Sequence, residues 1–165
     1  MKFRYLPILL LVSSVILLSQ CEKDPDPSGI DDDALFSMVQ NNNFVYYKGS
    51  NTLLNGAGDS PHGSFKLRFN AKAASVLDAS GKLPAGVSFP DSSIVLKEVY
   101  SGNTLQLLIP MMKFPSHNQS ASGWLWAEYG PSGKVVYALK KKGSGCTGCH
   151  GGSTNRDFTR SFDLH

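Results

Sequence analysis

Phe65-Lys66-Leu67-Arg68-Phe69 decides the fold class. Three large apolar side chains alternate with two cations, the period-two pattern of a strand with one face in a core. The pattern continues in residues 94–100, 104–109, 123–129 and 134–139, which are rich in β-branched and aromatic residues. Phe44 to Tyr47 reads as a further short strand. Gly130-Pro131-Ser132-Gly133 predicts a hairpin between the last two runs. Pro110 lacks a backbone N–H, so it is expected to end its strand or to lie on a sheet edge. Upstream, Asp31 to Asp33 suit a helix N-terminus, and Leu35, Met38 and Val39 follow at helical spacing, so a short helix is expected at about 33–41. Residues 71–77 fit a helical turn, and 55–63 and 115–122 read as loops. No internal repeat is visible. The expected class is α+β: a predominantly antiparallel β-sheet with a short N-terminal helix.

The first twenty residues stand apart. Lys2 and Arg4 precede an apolar run at 8–18 broken only by Ser13 and Ser14. It is short for a membrane span and has the build of a secretion signal. Leu18-Ser19-Gln20-Cys21 resembles the lipobox of bacterial lipoproteins, which implies cleavage before Cys21 and lipidation of its thiol. Gln20 departs from the usual small residue there. Residues 22–33 are acidic and Pro-containing, the composition of a solvated tether. The expected organisation is a signal peptide at 1–20, a lipidated Cys21 with its tether to 33, and one domain over 34–165. The product is expected to be exported and lipid-anchored at a bacterial membrane, on the periplasmic side or the cell surface.

Composition bounds the partners. The chain has 16 basic and 13 acidic side chains, and 41% of its residues are hydrophobic. Without Lys2 and Arg4 the count is 14 against 13, which leaves no basic face for a nucleic acid.

Cys146-Thr147-Gly148-Cys149-His150 is the spacing of c-type haem attachment. Two thiols three residues apart reach the two vinyl groups on one porphyrin edge, and the adjacent His falls under the iron. Half of a zinc site and a thioredoxin-like redox pair are the alternatives. The first needs ligands from His62, His117 or His165, and the second needs a βαβ setting. With Cys21 lipidated and one haem c holding the other two cysteines, none of the three Cys is left over. The C-terminal position of the motif leaves any distal group to come from upstream strands.

With these segments in hand, the chain resembles the cytochrome P-460 family, which includes the ligand-binding cytochromes c-prime-beta. The resemblance runs from about Phe65 to Asp163. It is carried in order by Phe89-Pro90-Asp91, residues 94–98, residues 123–129, Gly133-Lys134, the Cys146 to His150 motif and Asn155-Arg156-Asp157-Phe158. It implies a β-rich domain with one c haem held against the sheet by the C-terminal segment, His150 as proximal ligand, and a distal side that is often open. Some members bond a lysine to the porphyrin and oxidise hydroxylamine. Others have an apolar distal pocket capped by Phe and bind nitric oxide or carbon monoxide.

Lys97 is the residue most like the cross-linking lysine, and strand alternation puts it on an apolar face with Val95 and Val99. The plainer reading is an edge strand whose lysine stem packs on that face with its charge in water. Trp124 and Trp126 share one face of their strand, as haem-lining residues or as ordinary core aromatics. Phe65, Phe69 and Phe89 are possible distal caps, and Met111 and Met112 possible sixth ligands. Arg156 is a propionate partner or a surface arginine. Glu98 and Glu128 are the acids nearest to the family motifs, and Glu98 is expected to point away from Lys97. Three functions follow: a haem protein serving electron transfer to a redox partner protein or binding a small gas, an oxidoreductase for hydroxylamine or a related nitrogen compound, and an interaction module with an incidental Cys pair.

Overall fold

Successive side chains of a strand point to opposite faces, and here that alternation sorts the apolar residues into two cores. The computed structural model describes residues 28–41, 43–56 and 60–160. The strands are β1 (Val45–Tyr46), β2 (Leu54–Asn55), β3 (Ser64–Phe69), β4 (Ile94–Ser101), β5 (Thr104–Lys113), β6 (Trp124–Trp126), β7 (Glu128–Tyr129) and β8 (Val135–Tyr137). They form one sheet in the order β1-β3-β4-β5-β7-β8, with β2 also pairing β3 and β6 also pairing β5. All of these pairings are antiparallel. The helices are α1 (Asp32–Asn41), α2 (Ala71–Ala74) and α3 (Thr147–His150). This is the α+β class expected from the sequence. The leader, Cys21 and most of the tether lie outside the described residues.

On one face Phe65, Leu67, Phe69, Val95, Met111, Trp124 and Trp126 cluster with Leu83 and Phe89. On the other, Ile94, Leu96, Leu108, Met112, Leu125 and Tyr129 meet Leu35 and Val39 of α1. Residues 124–129 therefore divide between the two cores as their alternation predicts. Helix α1 starts where the acidic run expects it to, since the Asp31 carboxylate accepts from the Ala34 amide at 2.8 Å. Asp32 accepts from the Leu139 amide at 3.0 Å and ties the helix to the chain after β8. The second core is thereby closed by α1, and the first is left for the C-terminal segment.

Several local expectations are corrected. Strand β5 runs through Pro110 to Lys113, in the middle of the sheet. The amide N and carbonyl of one residue point to the same side of an antiparallel strand, and the Pro110 carbonyl accepts from Ala127 at 3.3 Å. Its missing N–H thus faces the break at Ala127 between β6 and β7, where no ladder bond is lost. The expected strand at 123–129 is two strands because of that same break, and the one expected at 134–139 shortens to β8, followed by a 3-10 turn at Leu139–Lys141. Strand β1 excludes Phe44 and Tyr47. The edge-strand reading of Lys97 is overturned: β4 is central, and Lys97 lies between Leu67 of β3 and Ile109 of β5.

Asn70 joins two parts of the first core. Its side-chain oxygen accepts from the Ala73 amide at 2.9 Å, capping α2, and from the Ile94 amide at 3.0 Å. Its amide donates to the Ser92 carbonyl at 2.9 Å. Asn70→Ala removes a cap and strands the buried Ile94 amide, so it should cost about 2–4 kcal/mol. The check is a urea midpoint that falls while the m-value holds.

Candidate functional site

Helix α3 is one turn long, and its hydrogen bond from the His150 amide to the Cys146 carbonyl is 3.0 Å. Residues three and four apart on a helix share a face, so Cys146, Cys149 and His150 point together. Both thiols are unpaired, Cys149 exposed and Cys146 half-buried. The three side chains border a mostly apolar cavity of about 380 Å³ against the first face of the sheet. Leu67, Val95, Lys97, Leu107, Ile109, Met111 and Trp126 form its wall, and His62, Glu128, Tyr137 and Arg160 also line it.

Two contacts fix the His150 ring. Its Nδ1 lies 2.8 Å from the Phe158 carbonyl, which can only accept, so Nδ1 carries the proton. The lone pair is then on Nε2, which has no hydrogen-bond partner among the described residues. The Trp126 ring meets the imidazole edge-on, with centroids 5.0 Å apart at 77°. Trp126 is itself held by its indole N–H, which donates to the Ala121 carbonyl at 3.1 Å. Burial, above all, lowers the His150 pKa to about 4, with Lys97 and Arg160 adding to it. The ring is neutral and oriented, as a metal-ligating imidazole must be.

The carbonyl that orients it comes from a strained turn. Asp157 and Phe158 have φ of 47° and 60°, a left-handed conformation that is costly for bulky residues. Asp157 holds the turn in place: one carboxylate oxygen pairs with the Lys113 ammonium and the other accepts from the Phe89 amide at 2.8 Å. Asn155 donates to the carbonyls of Cys149 and His150 at 2.9 and 3.0 Å, closing the end of α3. On the approach to the motif, the Tyr137 hydroxyl donates to the Ser144 carbonyl at 2.8 Å. Gly143 passes Trp126 so closely that a Cβ there would lie 2.7 Å from the indole. Its φ of +63° also favours glycine.

Besides His150, the groups Lys97, His62 and Glu128 around the cavity are perturbed toward their neutral forms. Lys97 is brought down to about 8, first by burial and then by the Arg160 charge, and its ammonium lies 4.4 Å from the centroid of the Phe65 ring. His62 is lowered to about 4 by burial, then by Lys97 and His150. Burial raises the Glu128 carboxyl, and Lys141 partly offsets this.

Of the residues singled out from sequence, Cys146, Cys149, His150, Lys97, Glu128, Trp126 and Met111 meet at this cavity. Trp124 does not line it: the ring is fully buried, edge-on to Phe89 and under the Lys113 ammonium. Arg156 donates instead to the Leu83 carbonyl, and Arg160 is the arginine at the cavity. Phe65, Phe69 and Phe89 stay in the core behind the wall. Met112 points into the opposite core. Glu98 is on that side too, paired with Arg68 at 2.7 Å, as its alternation predicts. Sequence reasoning missed Arg160, Tyr137 and the Asp157–Phe158 turn, and weighed His62 only for zinc. His117 is occupied elsewhere, with Nε2 2.9 Å from the Ile30 carbonyl. Among the described residues no three His, Cys, Asp or Glu side chains are grouped to hold a bare ion.

The residues fit a covalent haem. Two free thiols and a neutral imidazole with an open nitrogen border one apolar cleft of cofactor size. Lys97 and Arg160 are the basic side chains besides the histidines in its lining. No protein-family model matches the chain, and no curated protein matches it significantly.

Two outcomes test this geometry. The haem-free chain should hold a level stability between about pH 6.5 and 8 and lose it as the pH falls toward 4, because the unfolded chain protonates His150 and His62 while the folded state resists. Urea midpoints across that range measure the loss, and His150→Gln should flatten part of it. Asp157→Asn leaves the buried Lys113 charge without its partner and should destabilise by about 3–5 kcal/mol. Adding Lys113→Met should restore part of that, whereas a loss below about 1 kcal/mol for Asp157→Asn would remove the pair from its fastening role.

Proposed function

We propose that this chain is an exported, lipid-anchored monohaem c-type cytochrome that serves electron transfer to a partner protein or binds a small gas such as nitric oxide. One observation carries the reading: a neutral imidazole, locked through Nδ1 and open at Nε2, lines the same apolar cavity as two free thiols. Cys146 and Cys149 would hold the porphyrin by thioethers and His150 would ligate the iron, with Lys97 and Arg160 toward the propionates. When bound, the haem supplies a redox-active iron with one further axial position. The chain's own part is to keep the His150 tautomer fixed through Phe158, to shut water out along Val95, Ile109 and Met111, and to hold a carboxyl of raised pKa, Glu128, beside the cavity.

A second reading has its own support. Lys97 stands in the cavity wall with a pKa near 8, so an appreciable share of its amine is neutral and nucleophilic at neutral pH. That suits a lysine cross-linked to the porphyrin and the oxidation of hydroxylamine or a related small nitrogen compound, with Glu128 as proton acceptor.

Both readings are tested on the full chain made together with haem-attachment machinery. Intact mass should show one covalent haem on a chain cut before Cys21 and lipidated there. Cys146→Ala and Cys149→Ala should each leave a single thioether, seen as a red-shifted band of the reduced pyridine complex. Absence of covalent haem from the wild type sinks the reading. A strongly red-shifted haem that reverts in Lys97→Gln moves the assignment to the hydroxylamine enzyme.

A further inference from the structure

A second imidazole lines the cavity that His150 borders. His62 stands between Pro61 and Gly63 in the connection from β2 to β3, and its ring is half-buried there. The connection is pinned at its base, where the Gly56 amide donates to the Gly63 carbonyl at 3.2 Å. A Cβ on Gly56 would come within 2.9 Å of that carbonyl, so the two sides are closely apposed. The Ser60 hydroxyl accepts from the His62 amide at 3.3 Å. Pro61 restricts the backbone before the ring, and the positive φ of Gly63 turns the chain into β3 behind it. His62 is thus carried on a short, shaped connection beside the cavity wall.

Neither ring nitrogen of His62 has a hydrogen-bond partner among the described residues. A half-buried imidazole usually gives one nitrogen to a carbonyl, a carboxylate or water, as His150 and His117 do. Two other candidate donors of the wall rest against apolar neighbours. Met111 is packed in the apolar cluster opposite Trp126 on the neighbouring strand. The Lys97 ammonium rests on the face of Phe65.

We propose that His62 is the second axial ligand of the haem iron, opposite His150. The inference rests on the haem reading above and narrows it. A nitrogen lone pair is donated to the iron, no bond breaks and no proton leaves the neutral ring. Two imidazoles suit both oxidation states of iron, so coordination changes little on electron transfer, and a small gas must displace a ligand before it binds. The assignment therefore favours electron transfer over gas binding.

The test uses the full haem-loaded chain and the variants His62→Ala, His62→Met, Met111→Leu and Lys97→Gln, read by optical and electron paramagnetic resonance spectra. Mass spectrometry first establishes covalent haem; if the wild type has none, the cytochrome reading falls and this one with it. The wild type should be low-spin and six-coordinate. His62→Ala should turn high-spin, bind carbon monoxide at least about tenfold tighter when reduced, and regain the low-spin spectrum with added imidazole. His62→Met should stay folded and shift the reduction potential upward, which separates a lost ligand from a lost fold. A high-spin wild type overturns the proposal while leaving covalent haem intact. So does a low-spin spectrum that survives His62→Ala, or one lost in Met111→Leu or Lys97→Gln instead.

Discussion

The carboxylate of Asp157 fastens the end of the described chain to the sheet, and the first core is organised around that attachment. One oxygen reaches the Lys113 ammonium at the end of β5 and the other the Phe89 amide. Lys113 lies over the Trp124 ring, and Phe89 meets the same indole edge-on. A charge pair this deeply buried is costly to form and costlier to break, so it sets register more than it adds net stability. Its geometric product is the left-handed turn at Asp157 and Phe158, which aims one carbonyl at His150. A four-residue helix has no stability of its own. Its position depends on this turn, on Asn155 at its end and on Trp126 beside it.

The sheet divides its labour by face. The side covered by α1 is a sealed apolar core in which even Glu98 has Arg68 as partner. On the other side the core extends only partway, from Phe69, Leu83 and Phe89 to Trp124. Beyond Trp126 no helix or strand among the described residues packs over the wall, and the gap is the cavity. Lys97 sits at that boundary, and its place on a central strand is what makes its ammonium hard to solvate.

Much of this was legible in the sequence where the signal is local. Alternation in 65–69 and 94–100 assigned the strands and the correct faces, and it separated Lys97 from Glu98. The acidic start and spacing of α1 were equally plain. What failed was nonlocal. Pro110 passes through the sheet only because a break at Ala127 faces it, and no window around Pro110 contains that fact. Trp124 and Trp126 have the same alternation, yet one is capped by Phe89 and the other opens on the cavity; the distinction lies 35 residues away in sequence. Arg156 is the arginine nearer in sequence to the Cys motif, but the left-handed turn that follows it sends it to the Leu83 carbonyl and Arg160 to the cavity. His62 lay in a loop whose composition says only that it turns.

Several chemically reactive features are gathered at the cavity. A neutral histidine keeps a nitrogen unbonded, a second imidazole has no partner among the described residues, two thiols flank an apolar cleft, and two cations share its lining. Any one of these is a modest local cost. Together they set this cavity apart from the apolar cores on either side of the sheet. Strain at Phe158 belongs to the same set, because a bulky residue at positive φ persists only when its surroundings hold it there. It is the joint presence of thiols, imidazoles and cations at one cleft, rather than any single exception, that makes the cavity and not the sheet carry the functional argument.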